Sequence, residues 1–191
     1  MATRRARIAM LVTIVAAACS THSLFECPDL QRLGRQAQRT TFKDSAGNIV
    51  ASGRHLGGSW RIDDRLPPWQ NVIPIGDWTT WYPNGQMRSR VTYALSCYIQ
   101  CCSGGPCPQV HAYPAGDFEI RHPSGSLKAR GTFVPFRQHV ETSCEGGDST
   151  MSSRPSAASG AWDENGNEVP MDVRFIKDDL LPKTLSLYWP E

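Results

Sequence analysis

A ten-residue pattern occurs twice in this chain, 40 residues apart, and it limits the choice of fold more than any other feature. The first copy is Gly76-Asp77-Trp78-Thr79-Thr80-Trp81-Tyr82-Pro83-Asn84-Gly85. The second is Gly116-Asp117-Phe118-Glu119-Ile120-Arg121-His122-Pro123-Ser124-Gly125. Both read G-D-aromatic-x-x-x-ring-P-polar-G. Self-similarity at a fixed period marks a repeat architecture, in which one small unit cannot bury its apolar face alone and stacks on its neighbours.

The unit reads as a β-hairpin. Asn84-Gly85 and Ser124-Gly125 are turn dipeptides, and Ala46-Gly47 and Asn165-Gly166 extend the series. Gly47, Gly85, Gly125 and Gly166 stand 38, 40 and 41 residues apart. Tight hairpin turns require positive φ, which glycine adopts without steric penalty. Before the turn, Trp78, Thr80 and Tyr82 share one face, as do Phe118, Ile120 and His122. After it, Met87-x-x-x-Val91-x-Tyr93 matches Leu127-x-x-x-Gly131-x-Phe133 and Ile49-x-x-x-Gly53-x-His55. Period-two alternation describes a half-buried strand, and it puts Lys128, and by equivalence Arg88, on the wet face. Two registers stay open. A two-residue Asn-Gly turn sets Tyr82 opposite Met87, whereas Pro83 in a type I turn makes Gly85 a bulge. The expected fold is therefore mainly β, with repeated antiparallel hairpins stacked in an elongated sheet, long insertions between them and little helix. Leu30, Leu33 and Ala37 have helical spacing within Pro28–Gln38, and Leu185–Trp189 reads as a final strand.

The N-terminus has a different logic. Arg4, Arg5 and Arg7 precede an apolar run from Ile8 to Ala18, followed by Cys19. The run is too short for a mature membrane span and has the composition of a secretory signal. Ala16-Ala17-Ala18-Cys19 resembles a bacterial lipobox. That resemblance implies cleavage before Cys19, acylation there, and, with Ser20 next, sorting to the outer membrane on its periplasmic or surface side. Ordinary secretion or periplasmic release is the alternative. The chain divides into residues 1–18 as signal, 19–39 as anchor and linker, and 40–191 as one hairpin-repeat domain. Removing the signal's three arginines takes the formal charge from +2 to −1. No basic stripe remains to suggest nucleic acid.

Six further cysteines follow Cys19: Cys27, Cys97, Cys101, Cys102, Cys107 and Cys144. An even set behind a signal reads as three disulfides of undetermined connectivity. Zinc held by Cys97, Cys101, Cys102, Cys107 and His111 is the rival, but the spacing lacks the usual C-x2-C pairs. Disulfides are the preferred reading, with no metal and no cofactor.

The hairpin pattern resembles the MORN-repeat variant family, whose bacterial members are sometimes described as antitoxin-like. Its unit is similar to G-x-W-x-x-x-Y-x-x-N-G followed by an apolar residue and an aromatic. Gly76–Tyr93 and Gly116–Phe133 match best. Thr41–His55 keeps the turn and outgoing strand, and Gly160–Val169 keeps Trp162-Asp163-Glu164-Asn165-Gly166. Family units follow one another at roughly half this spacing, which implies long insertions here. One insertion carries Cys97–Cys107. The other, Pro135–Ser159, includes the low-complexity stretch Ser149–Ser159, expected to be mobile.

No catalytic constellation stands out. His55, His111, His122 and His139 are scattered, and Asp148-Ser149 near His139 lacks a nucleophile elbow. Asp63-Asp64 and Asp178-Asp179 read as solvated surface pairs. Trp78, Trp81, Tyr82 and Phe118 offer aromatic surface for a ligand, although such a ladder also serves as core. The expectation is an exported, membrane-anchored binding or scaffold module of the cell envelope, held to the bilayer by acyl chains and meeting a protein or polysaccharide partner. An antitoxin-like inhibitor of an exported toxin, and an extracytoplasmic enzyme with a loop-built site, are the alternatives.

Overall fold

The structure, a computed structural model, describes residues 26–57, 72–103 and 105–180. The signal segment, Cys19, Asp63-Asp64 and the expected strand Leu185–Trp189 lie outside the described residues. Among the described residues, nine strands form one antiparallel sheet: β1 (Gln38–Lys43), β2 (Ile49–Leu56), β3 (Ile73–Trp81), β4 (Met87–Cys102), β5 (Gly105–Arg121), β6 (Leu127–Val140), β7 (Asp148–Pro155), β8 (Gly160–Trp162) and β9 (Glu168–Val169). Their order is β1-β2-β3-β4-β5-β6-β8-β9, with β7 also paired to β6. Apart from β7, strand order follows chain order, so the sheet is a meander. Helix α1 (Leu30–Gln36) precedes it, and α2 (Val173–Ile176) runs into a 3-10 turn, Lys177–Asp179. Asp29 caps α1 by accepting from the Gln31 and Arg32 N–H groups, which satisfies two of the donors a helix start leaves open.

Four turns share one geometry. In each, the glycine N–H donates to the carbonyl three residues back, at Asp44, Tyr82, His122 or Asp163. The N–H of that same residue donates to Asn48, Gln86, Ser126 or Asn167. Gly47, Gly85, Gly125 and Gly166 have φ between 81° and 89°. This is a type I turn closed by a glycine bulge, and it selects one of the two open registers: Tyr82 faces Gln86, and Trp81 faces Met87.

A second bulge follows every turn but the last. Thr80 pairs with Ser89 while Trp81 pairs with Met87, leaving Arg88 as the extra residue. Lys128 is extra between Leu127 and Ala129, as is Val50 between Ile49 and Ala51. A bulge breaks the period-two count and re-aims the side chain it carries. Arg88 and Lys128 therefore do not sit on the wet face that simple alternation assigns them. Both reach the buried carboxylate of Asp179, Arg88 Nε at 2.9 Å and Lys128 Nζ at 2.7 Å. Asp179 is itself not a solvated surface residue, being 5% exposed.

The core lies on one face of the sheet. Trp78, Val91, Tyr93, Phe118, Ile120, Ala129 and Phe133 pack there with Ile176 and Leu180 of the C-terminal segment. Gly53 permits the tightest approach. The Trp78 ring covers it so closely that a Cβ would fall 2.3 Å from the indole. The Trp78 Nε1–H then donates to the Arg54 carbonyl at 2.7 Å, so the buried ring keeps its one polar atom paired.

The insertions are mostly strand. β4 and β5 stay paired as far as Cys102 opposite Gly105, and β6 and β7 from Phe133–Pro155 to Val140–Asp148. The stretch expected to be mobile is thus largely ordered: β7 takes in Ser149 to Pro155 and buries Thr150, Ser152 and Ser153. Its hydroxyl-rich sequence looks like a linker because its packing is polar. Ser96 Oγ meets Thr150 Oγ1 at 2.8 Å and accepts from the Met151 N–H, while Asp148 accepts from the Ile99 N–H. The two ribbons thereby pack on each other at the end of the sheet away from the turns.

Three disulfides hold this end: Cys27–Cys97, Cys101–Cys144 and Cys102–Cys107. The first spans 70 residues and ties the segment before α1 to β4. Closing a loop of that size in the unfolded chain stabilises the fold by about 4 kcal/mol on the chain-entropy picture.

Candidate binding face

Each letter of the repeated motif has the same task in both full copies. Gly76 and Gly116 take φ of 66° and 72° where the pairing of β2 with β3, and of β4 with β5, is interrupted. Asp77 accepts from Thr92 Oγ1 and Asp117 from Thr132 Oγ1, each at 2.7 Å and each 15 residues apart. Trp78 and Phe118 enter the core. The ring residues couple successive hairpins: Tyr82 Oη donates to the Arg121 carbonyl at 2.8 Å, and His122 Nε2 to the Trp162 carbonyl at 2.9 Å. Asn84 Nδ2 adds a bond to the Pro123 carbonyl. These contacts hold the turns of the second, third and fourth hairpins level with one another.

The face opposite the core is a polar ladder. Thr41, Ser52, Thr79, Arg90, Glu119, Arg130 and Gly160 are consecutive cross-strand partners across seven strands. One step toward the turns, each hairpin contributes an equivalent pair: Lys43–Ile49, Trp81–Met87, Arg121–Leu127 and Trp162–Glu168. Cations and tryptophans thus alternate from hairpin to hairpin at the same height, and both Trp81 and Trp162 keep part of their surface exposed.

At the β6–β8 side this face dips into an open groove of about 540 Å3, lined in part by Glu119, Arg130, Thr132, Ser159, Trp162 and Glu168. The segment from Ser156 to Ser159 forms one wall, fixed by the Ser156 N–H donating to Thr132 and the Ser159 N–H to Ser156. Arg130 is exposed, and its guanidinium carbon sits 6.0 Å from the Trp162 ring centroid. Glu119 pairs with Arg121 at 2.7 Å, so both signs of charge are present at the floor.

Of the aromatics singled out in the sequence, Trp78 and Phe118 are buried, at 1% and 4% exposure, and have little surface for a ligand. Trp81 lies on the open face, and Tyr82 on the core side of the turn. Trp162 and Arg130 form the groove without having been singled out as ligand residues. The available signal was positional, since Trp162 precedes the fourth turn as Trp81 precedes the second.

The histidines do not converge. His55 bonds Thr40 and the Leu56 carbonyl, and His122 is absorbed in turn coupling. His111 packs beside Tyr98 and meets Thr150 and the Met151 carbonyl. Burial pulls its imidazole pKa below the ordinary histidine value, against hydrogen bonds with Met151 and Gln109 that push it up. His139 is exposed and faces Glu141, while Ser149 takes a bond from Arg137. Among the described residues, no group of three or more His, Cys, Asp or Glu side chains is placed to hold a metal ion.

Compared with family models, curated proteins and solved structures, the chain has no match.

Proposed function

We propose that this protein is an exported binding module of the cell envelope, anchored by lipid at Cys19, and that it engages its partner through the open face of the hairpin sheet. The observation that carries the binding reading is the groove at Trp162 and Arg130, level with Trp81 two hairpins away. Exposed aromatic and arginine side chains in a concavity are the usual anchors of recognition. The hydrogen-bonded turns support it too, because a face held in fixed register loses little freedom when a ligand binds. Three disulfides fit an oxidising, extracytoplasmic location. The anchor of this proposal is the set of N-terminal acyl chains that the lipobox resemblance implies, each buried methylene contributing about 0.8 kcal/mol; among the described residues no helix is long and apolar enough to cross a membrane. The resemblance to MORN-repeat variants belongs to the same proposal, and the equivalent turns support it.

Two experiments test the reading. Intact mass after expression in a Gram-negative host is expected to show an acylated chain beginning at Cys19; an unmodified Cys19 amine rejects the anchor. Unanchored Cys19→Ser protein is expected to co-sediment with isolated envelopes, and Arg130→Ala and Trp162→Ala to reduce that fraction severalfold. Co-sedimentation unaffected by both changes, or absent from the start, rejects the face as the binding surface.

A further inference from the structure

We propose that the flank formed by α1 and β1 is a docking surface for anionic lipid headgroups, and that it seats the protein on the bilayer in which Cys19 is anchored. The inference rests on the lipid-anchor reading above and deepens it.

The first support is reach. The Cys27–Cys97 disulfide ties the chain just before α1 to β4. Only eight peptide steps separate Cys27 from Cys19. A fully extended chain gains at most about 3.6 Å per step, about 29 Å in all. The body of an anchored protein therefore stays close to the bilayer, and α1 is the element nearest the anchor along the chain.

The second support is charge. Residues 26–57 carry five cations, Arg32, Arg35, Arg39, Lys43 and Arg54, against three acids, a formal +2. Residues 58–191 carry twelve cations against fifteen acids, a formal −3. The positive part of the chain is thus the part next to the tether. Of its acids, Asp29 is engaged in capping α1 and Asp44 in its own turn, which leaves Glu26. Arg32, Arg35, Arg39 and Lys43 are exposed, and none of them forms an ion pair among the described residues.

The third support is a shared aspect. Arg39 and Lys43 stand two residues either side of Thr41 on β1, so they share its face of the sheet, the one opposite the core. Arg54 is the cross-strand partner of Arg39. Its guanidinium donates to the Gly34 and Ala37 carbonyls at 2.9 and 3.4 Å, which fixes α1 against this same face. Leu30, Leu33 and Gly34 are partly covered there, while Gln31, Arg32, Arg35 and Gln36 are exposed. The outward side of the helix is polar and cationic, without an apolar wedge, which fits contact with headgroups and not insertion. Six strand steps, roughly 29 Å, separate β1 from β8 and its groove, so the flank and the groove are separate surfaces. A handful of cations binds weakly alone; its effect is to orient a body that the acyl chains already hold.

The test is sedimentation of full-length Cys19→Ser protein with vesicles at low salt. The vesicles are phosphatidylcholine alone, or phosphatidylcholine with about one third phosphatidylglycerol. The protein is expected to sediment with the anionic vesicles only, and to be released by high salt as the screening length shortens. Arg35→Gln with Arg39→Gln is expected to lower the partition coefficient by at least about tenfold. Arg35→Lys with Arg39→Lys is expected to preserve it, because a headgroup phosphate accepts a point charge. Arg174→Gln with Lys177→Gln removes the same charge from the segment that covers the core face, and is expected to change it by less than about twofold. Thermal melts establish that each variant is folded. Equal losses in the two glutamine pairs reduce the contact to net charge and overturn the proposal. So does an absence of sedimentation with anionic vesicles, or equal sedimentation with neutral ones. Calorimetric binding of a glutamate hexapeptide without vesicle sedimentation assigns the flank to an acidic peptide and likewise overturns it. Intact mass reads the premise separately. An acylated Cys19 with no vesicle binding leaves the anchor standing and removes the flank, whereas an unmodified Cys19 removes the anchor and the docking with it.

Discussion

Glycine at position 53 is set by contact, not by backbone angle. It has no positive φ, and its role is to lie under the Trp78 indole. Gly53→Ala puts a methyl where the ring already is, so the ring must leave its rotamer and strain the Arg54 hydrogen bond. Overpacking of this kind costs about 1–3 kcal/mol, and equilibrium urea unfolding is expected to show a loss in that range. His111 gives a second expectation at this scale. Its pKa is lowered in the folded state by burial among Tyr98, Thr150 and Met151. The unfolded chain takes up the proton first as pH falls through about 6.5. The stability contributed by neutral His111 is therefore complete above that pH and lost below it. The melting temperature of His111→Gln is expected to fall less between pH 7 and pH 5 than that of the parent; equal falls contradict this. The sequence announces glycines needed for positive φ, since Asn-Gly and Ser-Gly are local signals. It does not announce Gly53, whose reason lies in another strand.

At the scale of elements, the bulges decide where charge goes. Arg88 and Lys128 are one residue out of step in their strands, and that step carries them to Asp179 under the C-terminal helix. The three make a latch, completed by Arg88 donating to the Asp178 carbonyl and by Lys128 standing 4.7 Å from the Phe175 ring. Asp179→Ala leaves two partly buried cations without their anion. Breaking a fully buried pair costs about 3–5 kcal/mol. Arg88 and Lys128 keep 26% and 18% exposure, and solvent screening reduces the expected loss to about 2 kcal/mol. Lys128→Met in the same background is expected to recover part of it, and a double-mutant cycle measures the coupling; additive losses contradict the latch. The hairpins and their alternating faces were legible because alternation is a property of neighbouring residues. The bulges were not, since one extra residue in a ladder shows only against its partner strand. The ribbon of β6 and β7 was missed for a related reason: a strand packed through serine and threonine hydroxyls has the composition of a linker.

For the whole molecule, the repeated motif specifies the order in which hairpins hold one another. Tyr82, Asn84 and His122 bond forward to the next turn. The first and last turns instead carry aspartates, Asp44 and Asp163, which accept from their own turn at Asn48 and Asn167. These bonds hold both carboxyls below the usual carboxylate range. The end hairpins thus close on themselves, as terminal repeats do, and the middle hairpins share their turns. The sequence shows this as a weakened motif at both ends, while the outer face with Trp81, Arg121 and Trp162 emerges only when the turns are set level. Native-state hydrogen exchange tests the coupling most directly, because it reads the opening free energy of each strand separately. Amides of β3, β4, β5 and β6 are expected to share one opening free energy, the global one. Those of β1, whose turn makes no forward bond, are expected to open at a lower free energy. Separate values for the β3–β4 and β5–β6 hairpins, or protection of β1 equal to that of β5, would contradict a sheet held together turn by turn.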